Sequence, residues 1–206
     1  MSKKLSIELN RYFFEEEREE TITLKDILTL AGDRIFGFLL VILALPSALP
    51  VPAPGYSVPF GILIFLLAVQ LILGKETPWL PKKMMNGSMK VATARKFVKM
   101  GLPWLKKIEA IAKPRLSYIC DNPLGKLVIG LMLALMGVSM MIIIPGTNTL
   151  PAIGVFVCAF GLLEDDGFIV LGGLIICLLA VILSTSIIMA FIWGGSSLID
   201  IIKEKL

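Results

Sequence analysis

Five runs of apolar residues, separated by polar or proline-rich segments, dominate the pattern of the chain. They cover residues 35–45, 59–73, 127–144, 153–163 and 168–193, with lengths of 11, 15, 18, 11 and 26 residues. A helix rises about 1.5 Å per residue and must cross about 30 Å of hydrocarbon to span a membrane. The last run can span with room for tilt and the third can just span, whereas the other three are too short to cross alone.

Uncharged, proline-rich segments join the short runs in pairs. Residues 46–59 and 145–151 each contain a Pro-Gly dipeptide and end in a further proline. Proline removes a backbone donor and clashes with the preceding turn, so neither segment is expected to be a continuous helix. A loop in water would more usually carry charge, which favours two hairpins of broken helices whose tips lie within the membrane layer. The repeated pattern indicates an internal repeat.

The predicted fold is therefore an all-α, polytopic integral membrane protein with two hairpins of re-entrant type. We expect N-terminal helices in residues 1–34, a first hairpin in 35–74, a basic amphipathic linker in 75–123, a second hairpin in 124–167, and a long transmembrane helix with its tail in 168–206. An inverted repeat would need an odd number of crossings between the two tips, which only the run 127–144 could supply. The pattern leaves an inverted and a parallel repeat both open.

Charge is segregated along the chain. Residues 1–34 carry a net charge of −2, whereas residues 75–126 hold twelve basic and three acidic residues, a net charge of +9. A lysine-rich connector between apolar segments is typical of a cytoplasmic loop. We expect two amphipathic helices here, over 91–102 and 104–113, that lie on the membrane surface with their lysines toward anionic lipid. In the N-terminal part, Thr23 and Asp26 resemble a capping box that opens a short helix over 24–31, ended by Gly32.

The composition excludes several kinds of active site. Apolar residues make up 56% of the chain, charged residues 17%, and histidine is absent. Without histidine there is no Ser-His-Asp triad and no His-ligated zinc. The three cysteines form no CxxC pair. We therefore expect no catalytic residues, no metal and no cofactor, and the basic linker, tied to the bilayer at both ends, does not favour nucleic acid.

Two groups of residues are candidates for function. Broken helices leave free backbone N–H and C=O groups that can hold ions, and the hairpin tips add neutral polar groups. The predicted substrate-binding residues are Ser47, Pro54, Gly55, Ser57, Gln70, Pro145, Gly146, Thr147 and Asn148. The predicted charge pair or relay consists of Asp33, Arg34, Glu164 and Asp166. The alternative for the first group is that the polar groups of the two tips bond each other in a packed core. The alternative for the second group is a salt bridge that only fixes the depth of the hairpins in the membrane.

The order of short motifs between residues 23 and 190 resembles the ExoD family of bacterial membrane proteins. The motifs are Gly32-Asp33-Arg34 with Gly37, Ala44-Leu45-Pro46, Gln70-Leu71-Ile72-Leu73-Gly74, Pro78-Trp79-Leu80-Pro81, Leu102-Pro103-Trp104-Leu105, Lys113-Pro114-Arg115-Leu116, Leu150-Pro151-Ala152, and Gly161-Leu162-Leu163-Glu164 with Asp166-Gly167. The resemblance implies a bacterial inner membrane and a link to exopolysaccharide or envelope homeostasis. It supplies no reaction.

Two functions follow as hypotheses. The first is a small transporter or permeation protein for a small solute, an ion or a lipid-linked anion, with the hairpin tips as its site. One chain has too few membrane-spanning helices to enclose a pathway easily. The transport hypothesis therefore includes a homodimer. The second is a non-transporting accessory protein that organises an exopolysaccharide-synthesis complex through the basic linker. Both place the N-terminus and residues 75–123 in the cytoplasm.

Overall fold

The computed structural model of the chain describes residues 5–16, 21–23, 26, 28, 32–48, 57–81, 88–142 and 148–204. Its α-helices are α1 (Leu5–Asn10), α2 (Ile35–Ala48), α3 (Ser57–Ile72), α4 (Val91–Ile111), α5 (Tyr118–Asp121), α6 (Pro123–Met141), α7 (Thr149–Leu163) and α8 (Gly167–Glu204). Shorter elements are a π-helical turn (Arg11–Glu15), a 3-10 turn (Gly32–Arg34) and two strands, β1 (Thr21–Thr23) and β2 (Ser88–Lys90). The predicted all-α character is confirmed, apart from this one small antiparallel pair of strands.

Prolines lie inside or at the start of several helices. Pro46 is within the last turn of α2, so this helix runs three residues past the predicted end of its apolar run. Pro59 and Pro151 occupy the first turns of α3 and α7, where their missing N–H groups have no partner within the helix in any case. Pro123 begins α6, and the side chain of Asn122 caps that helix by accepting the N–H of Leu124 at 3.1 Å.

Helices α2, α3, α6, α7 and α8 form one helical bundle, in which α3 packs mainly on α6, α2 on α7, and α8 on α7 and α6. Glycines bring the helices together. A Cβ atom at Gly61 would lie 2.7 Å from the carbonyl oxygen of Gly137, and one at Gly37 would lie 2.9 Å from that of Ala159. Such backbone approach is the usual way in which small residues pack helices in a membrane.

Neighbouring helices of the bundle pair antiparallel. Gly61, near the start of α3, lies against the end of α6, whereas Gly130, in the first half of α6, lies against Ala68 and Ile72. The start of α2 likewise lies beside the end of α7, because Gly37 lies against Leu163. The pairs α3–α6 and α2–α7 are therefore both antiparallel. The predicted tips, in residues 49–56 and 143–147, are outside the described part of the chain.

The outer face of the bundle is apolar. Two helical segments among the described residues, Pro123–Met141 and Gly167–Ile187, are long and apolar enough to cross a membrane, while α2, α3 and α7 are shorter. Large apolar side chains on these helices stay exposed, among them Leu127, Leu131, Leu135, Ile175, Leu179 and Ile182. The inward faces carry the core, with Leu40, Ile64, Leu67, Ile129, Leu133 and Met136 fully buried. Apolar residues on both faces indicate a membrane protein.

The linker forms one helix instead of the two predicted ones. Helix α4 continues through Pro103, which lies on its exposed side, so water can bond the carbonyl that the proline leaves free. The N-terminal segment runs antiparallel to α4 and covers it, since Leu9 and Phe13 are buried there. Protein therefore packs on part of α4, where Val91 and Leu102 are buried.

Candidate functional site

The end of the bundle that carries the hairpin tips contains part of the predicted substrate site. Ser47 lies in the last turn of α2 and Ser57 begins α3, and both are buried. The Ser47 hydroxyl has no hydrogen-bond partner among the described residues. Asn148 immediately precedes α7, and its carbonyl accepts the N–H of Ala152 at 3.1 Å. Residues Pro54, Gly55, Pro145, Gly146 and Thr147 lie outside the part of the chain that is described.

Gln70 is not near the tips. It lies in the last turns of α3, thirteen residues after Ser57, which corresponds to about 20 Å along the helix. Its amide Nε2 donates to the carbonyl oxygens of Leu66 at 3.0 Å and Trp79 at 3.1 Å, and its Oε1 accepts the N–H of Trp79. Gln70 therefore fastens the segment after α3, and the structure does not bring it together with Ser47 and Ser57.

The opposite end of the bundle is held together by Asp166. This carboxylate is buried and caps α8, because Oδ1 accepts the N–H groups of Phe168 at 3.0 Å and Ile169 at 3.4 Å. Its other oxygen, Oδ2, accepts the N–H of Lys113 at 3.0 Å. One carboxylate thus joins the linker to the turn between α7 and α8, an arrangement that the sequence did not indicate for Lys113.

The linker crosses the start of α8 at very close range. The N–H of Gly167 donates to the carbonyl of Arg115 at 2.7 Å, and a Cβ atom at Gly167 would lie 2.5 Å from the carbonyl oxygen of Leu116. Leu116 and Asp165 both adopt left-handed backbone, with φ of 51° and 53°. Such conformations are costly for residues with a side chain and persist only where surrounding contacts enforce them. We call residues 113–117 and 164–167 the crossover junction.

Charged groups surround the crossover junction. A guanidinium nitrogen of Arg34 lies 3.9 Å from a carboxylate oxygen of Asp165, a residue that was not included in the predicted charge pair or relay. Glu164 ends α7, and the side chain of Asp33 is outside the described part of the structure. Burial, reinforced by the negative charges of Asp165 and other nearby carboxylates, raises the pKa of the Cys120 thiol to about 12.

Helix α4 carries exposed basic side chains along its length. The exposed positions follow one stripe at helical spacing and include Arg95, Lys99 and Lys106, with Lys107 beside them. The acidic residue of the helix, Glu109, is buried on the opposite side. Its carboxylate accepts the backbone N–H of Ser6 at 2.8 Å and also the hydroxyl of Ser6. At the other end of this contact, Nε of Arg95 donates to the carbonyl of Phe13 at 2.6 Å.

These contacts define an N-terminal clasp, which consists of residues 5–16 held against α4. Sequence reasoning missed it, although Glu109 gave a signal as an isolated acidic residue in a helix rich in lysine. A capping box was predicted correctly close by: the N–H of Thr23 donates to Asp26 at 2.9 Å, and the N–H of Asp26 donates to the Thr23 hydroxyl at 3.3 Å. Most of the helix predicted over 24–31 lies outside the described residues.

Comparison with known proteins settles the family. The family model described as "Exopolysaccharide synthesis, ExoD" matches residues 5–186, which covers the clasp, the crossover junction and the bundle. The chain belongs to the ExoD family. The resemblance inferred from the motifs is therefore confirmed, and the matched region begins earlier than the motifs suggested. No solved structure matches the chain.

Two relatives illustrate the range of this ExoD family. A protein of Synechocystis sp., named "Uncharacterized protein slr1875", is 51% identical over 203 residues, which covers 98% of this chain and 96% of the relative. The protein named "Protein ExoD" of Rhizobium meliloti is 32% identical over 159 residues, which covers 76% of this chain and 66% of the relative. Similarity to the first relative extends over almost the whole chain, including α4 and the clasp.

Proposed function

We propose that this ExoD-family protein is a non-transporting, non-catalytic accessory membrane protein of exopolysaccharide synthesis. In this proposal the helical bundle is the membrane anchor, and α4 is a basic docking surface for an anionic partner of the synthesis machinery. The family description supports the link to exopolysaccharide. The observation that carries the proposal is the exposed face of α4, where the described charged side chains are all basic.

The geometry of α4 favours docking over simple attachment to lipid. An amphipathic helix on a membrane surface buries its apolar face among the lipid chains and keeps its basic side chains beside the headgroups. Here the clasp packs on α4, and Val91 and Leu102 of the helix are buried, as are Leu9 and Phe13 of the clasp. The exposed charged side chains described along this helix of 21 residues are all positive. A surface of this kind attracts a negatively charged partner and sets the orientation in which it arrives.

A cytoplasmic position of α4 follows from the charge distribution. Residues 75–126 carry a net charge of +9, and cytoplasmic loops of inner-membrane proteins are enriched in lysine and arginine. The helix starts of α2, α6 and α8 lie at the end of the bundle to which this linker is joined by Asp166. We therefore propose a multi-pass protein of the bacterial inner membrane, with its N-terminus and linker in the cytoplasm and the end of α8 on the other side.

The test removes charge from α4 alone. In cells that depend on this protein for exopolysaccharide, the double variant Lys99→Gln with Lys106→Gln is expected to lower exopolysaccharide yield while the membrane content of the protein stays unchanged. The matched control, Lys75→Gln with Lys126→Gln, removes the same charge outside α4, at the start of the linker and in the first turn of α6, and should leave the yield unchanged. Arg95 is kept, because it also holds the clasp. Normal yield from the α4 variant would refute the docking role.

Transport is the second candidate, and one observation favours it. The buried hydroxyl of Ser47 has no partner among the described residues, and Ser57 is buried at the same end of the bundle. A buried polar group normally has a partner, so a solute, ion or water at the hairpin tips would satisfy it. This hypothesis keeps the homodimer, since one chain offers few helices to enclose a pathway.

The transport hypothesis is tested by flux in proteoliposomes. Asn148→Ala and Ser47→Ala should each abolish the uptake of a transported solute while folded yield is retained. The control Ser139→Ala changes a hydroxyl of α6 that bonds to Ser184 at 3.2 Å, and it should preserve flux. If all three variants retain the same flux as the wild-type protein, Ser47 and Asn148 do not line a transport pathway.

A further inference from the structure

Gln70 makes an unusual set of contacts for a side chain in an apolar helix. It is buried, and both its carbonyl oxygen and its amide nitrogen are bonded. Two of these bonds go to a single residue, because Gln70 accepts the N–H of Trp79 and donates to the carbonyl of Trp79. One side chain thus satisfies both backbone groups of Trp79, as a neighbouring strand does in a sheet. The backbone of Trp79 is held in one place although it lies in no helix or strand.

The side chain of Trp79 stays exposed despite this fixed backbone. Its relative exposure is 61%, whereas that of the next residue, Leu80, is 6%. An indole presents a large apolar surface and one N–H donor, so it favours surroundings that are apolar on one side and wet on the other. Fixing such a residue and leaving it uncovered is unfavourable in plain water.

Trp79 lies at the level of the bundle where the exposed residues change from apolar to charged. Gly74, with φ of 66°, ends α3, and the N–H of Lys75 donates to the carbonyl of Gln70 at 3.1 Å. Because Gln70 bonds both backbone groups of Trp79, Trp79 lies beside the last turns of α3. Before this level the exposed residues of α3 are apolar, as at Leu66, and the segment that follows the helix carries exposed charges at Lys75 and Glu76.

We infer that Trp79 fixes the bundle at the boundary between phospholipid headgroups and hydrocarbon, and that Gln70 is its positioning residue. Tryptophan is enriched at this depth of the bilayer, and lysine next to it can reach the phosphates. This inference concerns the membrane boundary and does not depend on the docking role of α4. The partner of the exposed indole is the lipid interface.

The inferred boundary has a consequence for the hairpin tips. Ser57 lies about 20 Å from Gln70 along α3, whereas the hydrocarbon layer is about 30 Å thick. If Trp79 lies at one boundary of the hydrocarbon layer, the first residue of α3 lies roughly 10 Å short of the opposite boundary. Ser57, the first residue of α3, then lies inside the membrane layer, as the short apolar runs predict for hairpins of re-entrant type.

The depth of Trp79 can be measured by fluorescence quenching. The full chain with Trp104→Phe and Trp193→Phe keeps Trp79 as its single tryptophan and is reconstituted into phosphatidylcholine–phosphatidylglycerol vesicles. Lipids brominated near the headgroup are expected to quench Trp79 more strongly than lipids brominated near the chain ends. Stronger quenching by the deep bromines, or equal weak quenching by both, would overturn the inference, the latter because it would place the indole in water or under protein.

Gln70→Met tests the positioning role, because methionine has a similar size and cannot bond the Trp79 backbone. This change is expected to shift Trp79 emission to the red and to abolish the preference for shallow quenching. Gln70→Glu retains an acceptor for the Trp79 N–H and should restore part of the preference. Ser184→Ala, which removes a hydrogen bond elsewhere in the bundle, should leave Trp79 emission unchanged. An unchanged depth profile in Gln70→Met would refute the role of Gln70.

Discussion

Asp166 offers the sharpest test of how the linker is attached to the bundle. Its buried carboxylate accepts three backbone N–H groups, two at the start of α8 and one at Lys113 in the linker. Asp166→Ala removes both acceptor oxygens, and with them all three hydrogen bonds, and it leaves the Arg34–Asp165 pair in place. The crossover junction then keeps its backbone contact between Gly167 and Arg115 but loses the side chain that ties the linker to α8.

The expected loss follows from the separate contacts. Removing a helix cap costs about 1 kcal/mol, and losing the partly buried hydrogen bond from the N–H of Lys113 to a charged carboxylate costs about 1.5–3 kcal/mol. Asp166→Ala should therefore lower the free energy of unfolding by about 2–4 kcal/mol. Asp166→Asn should cost less, because the amide oxygen still caps α8. Its NH₂ group would face the N–H of Lys113, however, and two donors cannot bond each other.

Thermal unfolding of the detergent-solubilised protein measures this difference. A loss of about 2–4 kcal/mol corresponds to a fall in midpoint of roughly 5–15 °C for a chain of this length. Arg34→Ala is the control, because its pair with Asp165 is 3.9 Å long and partly exposed, and such pairs contribute less than about 1 kcal/mol. The order of midpoints should be wild type, Arg34→Ala, Asp166→Asn and Asp166→Ala. Equal midpoints for Asp166→Ala and Arg34→Ala would refute the reasoning.

Two further predictions concern packing and the buried thiol. Gly61→Ala would place its Cβ 2.7 Å from the carbonyl oxygen of Gly137 and should lower the free energy of unfolding by about 1–3 kcal/mol. Gly172→Ala is the control, because a Cβ atom there meets nothing within 4 Å and should leave stability unchanged or raise it. Thermal midpoints of the two variants measure the difference. Cys120, with its pKa raised from 9.0 to about 12, should resist alkylation near neutral pH until SDS unfolds the protein. Because the unfolded thiol loses its proton first, stability should fall as the pH rises from 9.0 toward 12, and Cys120→Ala should remove that part of the fall.

The positions of the membrane helices could be predicted well because they depend on local sequence. Each apolar run became a helix. The ends of the first four of these helices differ from the predicted ends by at most four residues, whereas α8 continues eleven residues past its run, to Glu204. The capping box at Thr23 and the end of α3 at Gly74 are also local signals, since they need only a side-chain acceptor or a residue that tolerates positive φ. The uncharged character of the tip segments and the asymmetry of charge could be read directly from composition.

Contacts between distant residues could not be predicted in the same way. Gln70 was assigned to the tip site because a buried amide needs a partner, but the sequence does not say that this partner is the backbone of Trp79, nine residues later. Likewise, nothing local shows that Glu109 meets Ser6 or that Asp166 meets Lys113, because these pairs are more than fifty residues apart. The separation of the linker into helices over 91–102 and 104–113 was wrong, because the exposed Pro103 between them does not end α4.

The antiparallel pairing of the helices bears on a conflict that the charge pattern raises. An inverted repeat would require the second hairpin to enter from the other side, although the linker between the hairpins is too basic to be expected to cross a membrane. The start of α2 lies beside the end of α7, and Asp166 joins the linker to the start of α8, so these helix ends share the end of the bundle at which the linker is attached. A parallel repeat agrees better with the charge, because both hairpins would then start from the linker end and no crossing within the linker would be needed. In that arrangement a single orientation with the basic linker in the cytoplasm would suit every helix of the bundle, and α8 alone would carry the chain across after the hairpins had returned.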